Sequence, residues 1–173
     1  DGGAITGVAP KSKIAAVKVG DEFGDFLQTD VSKAIDWCVN SSQQYNISII
    51  SLSFKTLNYA NEFTCSLFTP TIGSSIKDAT DSGIIVVAGS GNQNLTDQFA
   101  APACLKEVIS VGASDDNDQF WNYNSFGEDG TNRNNNLDLL APGVSITSTN
   151  NDGGYAISSG TSFSAPHIAG AAA

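Results

Sequence analysis

Apolar runs and helical spacings alternate along the first two thirds of the chain. Residues 13–19 (KIAAVKV) form a short apolar run between Pro10 and Gly20, which predicts a buried strand. Val31, Ala34, Ile35, Cys38 and Val39 then recur at helical spacing behind Thr29 or Asp30, either of which suits an N-cap. Residues 46–54 (NISIISLSF) predict a second strand, and a looser segment containing Cys65 and Pro70 follows. A helix is expected over about 71–82, with Ile72, Ile76 and Ala79 on one face and Gly83 as its stop. Residues 84–88 (IIVVA) and 107–113 (EVISVGA) predict two further strands. Strands separated by helices of this length imply right-handed crossovers and a mostly parallel sheet.

The later third changes character. Residues 114–136 are rich in Asp, Asn and Gly, with Trp121, Tyr123 and Phe126 interleaved, and show no period, so they read as loops over the sheet. Residues 137–141, 144–148 and 155–158 read as short strands before a helix at the C-terminus. With neither a repeat nor a linker, the expectation is one α/β unit over 1–173. The chain opens on Asp1-Gly2-Gly3 and closes on uncapped helix formers, which reads as an internal piece of a longer protein.

Charge narrows the function classes. Eight basic against eighteen acidic residues give a net charge of −10. That balance argues against nucleic acid, which needs a positive face, and against docking on an anionic membrane. No apolar run approaches the ~20 residues of a spanning helix. Three cysteines suggest one bridge and one free thiol. Cys38 falls on an apolar helix face and reads as a core residue, while Cys65 and Cys104, both in loop-like sequence, are the pair expected to bridge. Sequons at Asn40, Asn46 and Asn94 permit glycosylation in a secreted eukaryotic protein.

The most informative segment is 159–170 (SGTSFSAPHIAG). Gly160 permits a tight turn, and Pro166 supplies a fixed φ early in a helix. Ser162 therefore falls at a turn-to-helix junction, where free amides and the macrodipole favour a developing negative charge. A nucleophilic serine needs such a place, because acyl transfer creates an oxyanion beside the attacked carbon. The local pattern alone equally allows Thr161 or Ser162 to be a simple N-cap. His167 is the only imidazole, yet it lies about 140° around the helix axis from Ser162 at ~100° per residue, so it is not the base. Residues 89–94 (GSGNQN) follow an apolar strand at its carboxyl end, where open α/β sheets bind ligands.

GTSFSAPHIAG resembles the GTSMAxPHVAG signature of the subtilisin-like serine proteases, the subtilases. GVAPKSKIAAVKV, ISIISLSF, GIIVVAGSGN, APACLKEVISVGASD and LDLLAPGVSITST resemble further blocks of that family in the same order. The resemblance covers the chain from Gly7 onward. It implies a three-layer α/β sandwich with a mostly parallel central sheet, here truncated at both ends, forming part of a catalytic domain. It further implies Ser162 as the nucleophile and Asn92 as the oxyanion donor. Ser51, Leu52, Ser53 and Phe54 would form one wall of the substrate cleft, and Gly89, Ser90 and Gly91 the other. The family's D-[ST]-G and HGTHVAG motifs, which carry its catalytic aspartate and histidine, are absent, and Asp1 does not replace the former. As a fragment, the chain is expected to be inactive.

The same resemblance implies a monomeric, secreted endopeptidase acting on proteins or peptides. It requires no cofactor, and allows a structural calcium ion and a prodomain in the parent. The sequence departs from the usual pattern at Phe54, where leucine is common, and at Lys55, where glycine is usual; Lys55 either narrows the primary pocket, favours acidic side chains there, or is simply a solvated lysine after an edge strand. Asp138 resembles a weak cation position, but one carboxylate does not make a calcium site. The rivals are a pseudoprotease that binds without turnover, a sedolisin-type acid peptidase, and a flavodoxin-like ligand-binding domain. Asn92 and His167 count against the second, and nothing in the third explains GTS and SGN at these places.

Overall fold

The computed structural model describes residues 5–122 and 129–173. Asp1, Tyr123 and Phe126 lie outside the described residues. In chain order the elements are α1 (Gln28–Tyr45), β1 (Ile49–Leu52), β2 (Asn58–Tyr59), α2 (Glu62–Phe68), α3 (Pro70–Asp81) and β3 (Ile85–Gly89). They continue with β4 (Phe99–Ala100), β5 (Ile109–Ser114), β6 (Leu139–Pro142), β7 (Ile146–Thr149), β8 (Tyr155–Ser158) and α4 (Thr161–Ala172).

The central sheet runs β1-β3-β5-β6 with every neighbouring pair parallel. Ile50 stands opposite Val86, Val87 opposite Ile109, and Val111 opposite Leu139. Successive side chains of a strand point to opposite faces, and β3 feeds two cores in this way. Val86 and Ala88 join Ile50 and Leu52 against Val31 and Ile35 of α1 and Ile72, Ile76 and Ala79 of α3. Val87 instead joins Val111, Ala141 and Ala165 of α4. Helices thus cover both faces, and the architecture is the expected three-layer α/β sandwich. Between α1 and α3 the hydroxyls of Ser32 and Ser75 lie 2.6 Å apart, a buried polar pair satisfied internally.

Several elements differ from the pattern reading, each for a local reason. Residues 13–19 form no strand; Ile14 is 90% exposed, and only Val19 packs partly against the core. Apolar composition signals burial, but a strand also needs a neighbour for its amides and carbonyls, and β1 pairs only with β3. Helix α1 begins at Gln28, with Leu27 as an N-cap that makes no side-chain bond, so Thr29 and Asp30 lie within its first turn. Asn46 is the left-handed C-cap of α1 (φ 56°), which delays β1 to Ile49. Its N–H reaches the carbonyl of Ser42.

The segment read as loose contains α2, too short for a clear period, which starts on the Asn61 side chain accepting from the Thr64 amide at 2.9 Å. Cys65 lies buried in that helix and is bonded to Cys104, whereas Cys38 is a half-buried free thiol that desolvation pushes upward in pKa. Helix α3 starts one residue earlier than expected, on Pro70 in its first turn. The expected strand at 144–148 is observed as β7, which pairs antiparallel with β8.

Ile76 is fully buried between α3 and the sheet. In the protein that carries this domain, Ile76→Ala should lower unfolding stability by about 2–5 kcal/mol. A denaturant titration checks this, with exposed Leu57→Ser as the control expected within about 0.5 kcal/mol of the parent.

Candidate active site

The site is built where the amino end of α4 meets the loop leaving β3. Their approach excludes side chains at Gly89 and Gly160, and Asn132 excludes one at Gly91. A Cβ on Gly89 would lie 2.8 Å from Thr161 Oγ1 and 2.9 Å from the Thr161 carbonyl oxygen. At Gly91 (φ +107°) it would collide with Asn132 Nδ2. At Gly160 (φ +151°), the N-cap of α4, it would stand 3.0 Å from Asn92 Nδ2. Glycine is the residue that tolerates both the conformations and the contact.

Across this junction Thr161 holds Asn92. Asn92 Oδ1 accepts from the Thr161 amide at 2.9 Å and from Thr161 Oγ1 at 2.8 Å. The same hydroxyl accepts from the Gly91 amide at 3.2 Å, so it is satisfied as donor and as acceptor in a buried setting. Two bonds to Oδ1 fix which way the Asn92 side chain faces, and its Nδ2 end is turned toward Gly160 and the start of α4. Helix α4 carries no acidic residue in its first turn, so the positive end of its dipole is not neutralised there.

Ser162 is the second residue of α4 and is half-buried. Its hydroxyl donates to the Ser53 carbonyl at 3.3 Å, and Ser53 Oγ donates back to the Ser162 carbonyl at 3.0 Å. Pro166 explains why that carbonyl accepts from outside the helix. The residue four positions on would normally donate to it, and proline has no N–H to give. Pro166 therefore lies inside α4, not in its first turn, and its missing amide joins β1's exit to the nucleophile candidate. The rest of α4 is docked by Gly143, whose added Cβ would collide with Ser164 Oγ, and by the Gly160 amide donating to the Gly143 carbonyl at 2.8 Å.

Ser51 and Ser53 alternate with the buried Leu52, which belongs to the α1/α3 core. Phe54 is half-buried against Phe26, with ring centroids 4.8 Å apart, and Lys55 is exposed. Ser90 is fully buried, donating through Oγ to the Asn132 carbonyl at 2.7 Å. His167 Nδ1 lies 2.7 Å from the Phe163 carbonyl one turn back in the same helix; since a carbonyl only accepts, that nitrogen carries the proton. Asp138 Oδ2 accepts from the amide and hydroxyl of Ser110 at 2.8 and 2.7 Å, tying the starts of β5 and β6. A cavity of about 230 Å³ that touches Glu62, Cys104 and Asp138 includes none of the candidate site residues. Among the described residues no three His, Cys, Asp or Glu side chains converge to hold a metal ion, and no helix is long and apolar enough to cross a membrane.

A serine thus stands at a helix amino end, next to a threonine that locks a side-chain amide. The subtilase family model matches residues 1–173. The chain belongs to the subtilase family. It is 34% identical over 169 residues to a thermophilic serine proteinase of Bacillus sp. (strain AK1), covering 98% of this chain and 37% of that protein. It is also 34% identical to subtilisin E of Bacillus subtilis (strain 168) over 176 residues, covering 98% of this chain and 40% of the relative. Among solved structures, the patellamide maturation protease PatA superposes with a TM-score of 0.80 at 26% identity, covering 99% of this chain and 58% of that one. Sphericase gives 0.77 at 26% identity, with the same coverage. The chain thus spans about two fifths of the length of these curated subtilases.

Three features of the site were not legible from motif spacing: the Thr161 clamp, the Ser53–Ser162 exchange and the buried Asn132. For the first, the clue was present in the GTS triplet, where a hydroxyl flanks the candidate nucleophile. Thr161→Val keeps the shape but leaves the Gly91 amide without its acceptor. It should cost about 1–3 kcal/mol of stability, and Thr161→Ser less than half of that, by thermal or denaturant unfolding.

Proposed function

We propose that the protein carrying this chain is a secreted serine endopeptidase in which Ser162 is the nucleophile. The observation that supports this best is the Thr161–Asn92 clamp beside Ser162, which presents an amide donor and a helix amino end at one place. A peptide would lie along the exposed Ser51–Ser53 edge on one side and the Gly89, Ser90 and Gly91 backbone on the other. Ser162 Oγ would then attack the scissile carbonyl and pass its proton to a base. That base comes from outside these residues, because His167, the only histidine in the sequence, lies about 140° around α4 from Ser162.

The carbonyl oxygen, becoming an oxyanion, would be held by Asn92 Nδ2 and the Ser162 amide, which as a first-turn N–H has no partner within its helix. Collapse of the tetrahedral intermediate expels the amine, which takes up the proton, and water hydrolyses the acyl-enzyme. The Cys65–Cys104 bridge suits an oxidising, extracellular setting.

A fluorophosphonate probe applied to the full protein should attach to Ser162, as read by peptide mass spectrometry, and Ser162→Ala should abolish labelling and hydrolysis. Asn92→Ala should keep the fold and lower turnover by about 10²–10³, the loss known for removing such a donor in subtilisin itself. A folded full-length protein that neither labels nor hydrolyses overturns this reading, and leaves a pseudoprotease that binds peptides in the same cleft.

A further inference from the structure

The loop that presents Asn92 is not held by β3 alone. Its inner surface is lined by Asn132, which is 0% exposed although it comes from a stretch of six Asn, Thr and Arg residues at 131–136 that reads as solvated loop. Asn132 Oδ1 accepts from the Gln93 amide at 2.8 Å and from the Leu95 amide at 3.1 Å. Its Nδ2 donates to Asn58 Oδ1 at 2.9 Å and to Gln93 Oε1 at 3.1 Å. All four bonds available to an asparagine side chain are made. Its backbone adds two more, donating to the Gly91 carbonyl at 2.9 Å and accepting from Ser90 Oγ at 2.7 Å. Asn92 is bracketed as well: its carbonyl accepts from the Gly130 amide at 3.1 Å.

The direction of these bonds carries the argument. Two of them, to Gly91 and Gln93, stop the residues on either side of Asn92 from rotating, and the one to Asn58 reaches β2, whose partner β4 donates through the Ala100 amide to the Ser90 carbonyl at 2.8 Å. Gly91 makes room for it, since any Cβ there would occupy the position of Asn132 Nδ2. We propose that Asn132 is a positioning residue that holds the Asn92 loop from beneath and ties it to the β2–β4 pair. The proposal rests on Asn92 being the oxyanion donor. It assigns to Asn132 the setting of turnover through Asn92 rather than through contact with substrate.

The test is a double-mutant cycle in the full-length protein, read together with amide hydrogen exchange. Asn132→Ala should lower kcat on a peptide substrate by about 10–100-fold, the scale of a roughly 1 Å misplacement. In an Asn92→Ala background the same change should cost less than about 3-fold more, because the donor it positions is gone. Exchange at the Gln93 and Leu95 amides should quicken at least ~10-fold while Val87 and Val111 in the sheet stay protected. Equal losses in both backgrounds, or unchanged exchange at Gln93 and Leu95, overturn the proposal. Should Asn132→Ala fail to fold, Asn58→Ala removes only the acceptor on β2. It should still quicken Gln93 exchange, and unchanged exchange there would count against the role. Loss of protection in a protein that never hydrolyses peptide upholds the hold on the loop and instead defeats the reading of Asn92 as an oxyanion donor.

Discussion

The close approach of α4 to the loop after β3 is the constraint on which the site depends. A helix amino end can come within hydrogen-bonding range of a loop backbone only if no side chains intervene, and Gly89 and Gly160 remove them. Once there, Thr161 satisfies three polar groups at once: its own amide, its own hydroxyl and the Gly91 amide. The cost of burying them is met inside the junction, so the same bonds that stabilise the contact also orient Asn92. On the proposed function, stability and catalysis therefore share one set of hydrogen bonds, with glycine and threonine flanking Ser162 and Asn92 instead of larger apolar residues.

The sheet supplies the rigidity that this junction needs. β3 is packed on both faces, by α1 and α3 through Val86 and Ala88 and by α4 through Val87, and it delivers Gly89 to the cleft from a fully buried position. α4 carries Ser162 on the helix that packs Ala165 against the same sheet. Pro166 then redirects the Ser162 carbonyl to Ser53, adding the exit of β1 to the assembly. Three separate crossings of the chain thus converge, each short Ser, Thr or Asn side chain pinned to the backbone of a neighbouring crossing.

Long, periodic segments were readable because one physical signal, apolar spacing, dominated them. α1, α3, β3, β5 and β8 follow that signal to within a few residues. Residues 13–19 carried the same signal and form no strand, since apolarity says nothing of whether a neighbouring strand exists to pair with. The short helix α2 and the two-residue strands β2 and β4 were hidden for the opposite reason: a seven-residue helix closed by an Asn61 cap has no period to read. At the site, the motif residues Asn92 and Ser162 were legible from the family pattern. Asn132 was not, because a fully bonded buried asparagine and a solvated loop asparagine are the same letter, and only the tertiary contacts with Gln93, Leu95 and Asn58 separate them.

The central claim is that Ser162 and Asn92 act on one developing charge. A crystal structure of the full-length protein after reaction with a peptidyl phosphonate tests it most directly, since the adduct places a tetrahedral oxygen where the oxyanion would form. The account predicts a covalent bond to Ser162 Oγ, with the phosphoryl oxygen within about 2.7–3.1 Å of both Asn92 Nδ2 and the Ser162 amide. An adduct whose phosphoryl oxygen faces solvent, with Asn92 turned away from it, would contradict the claim.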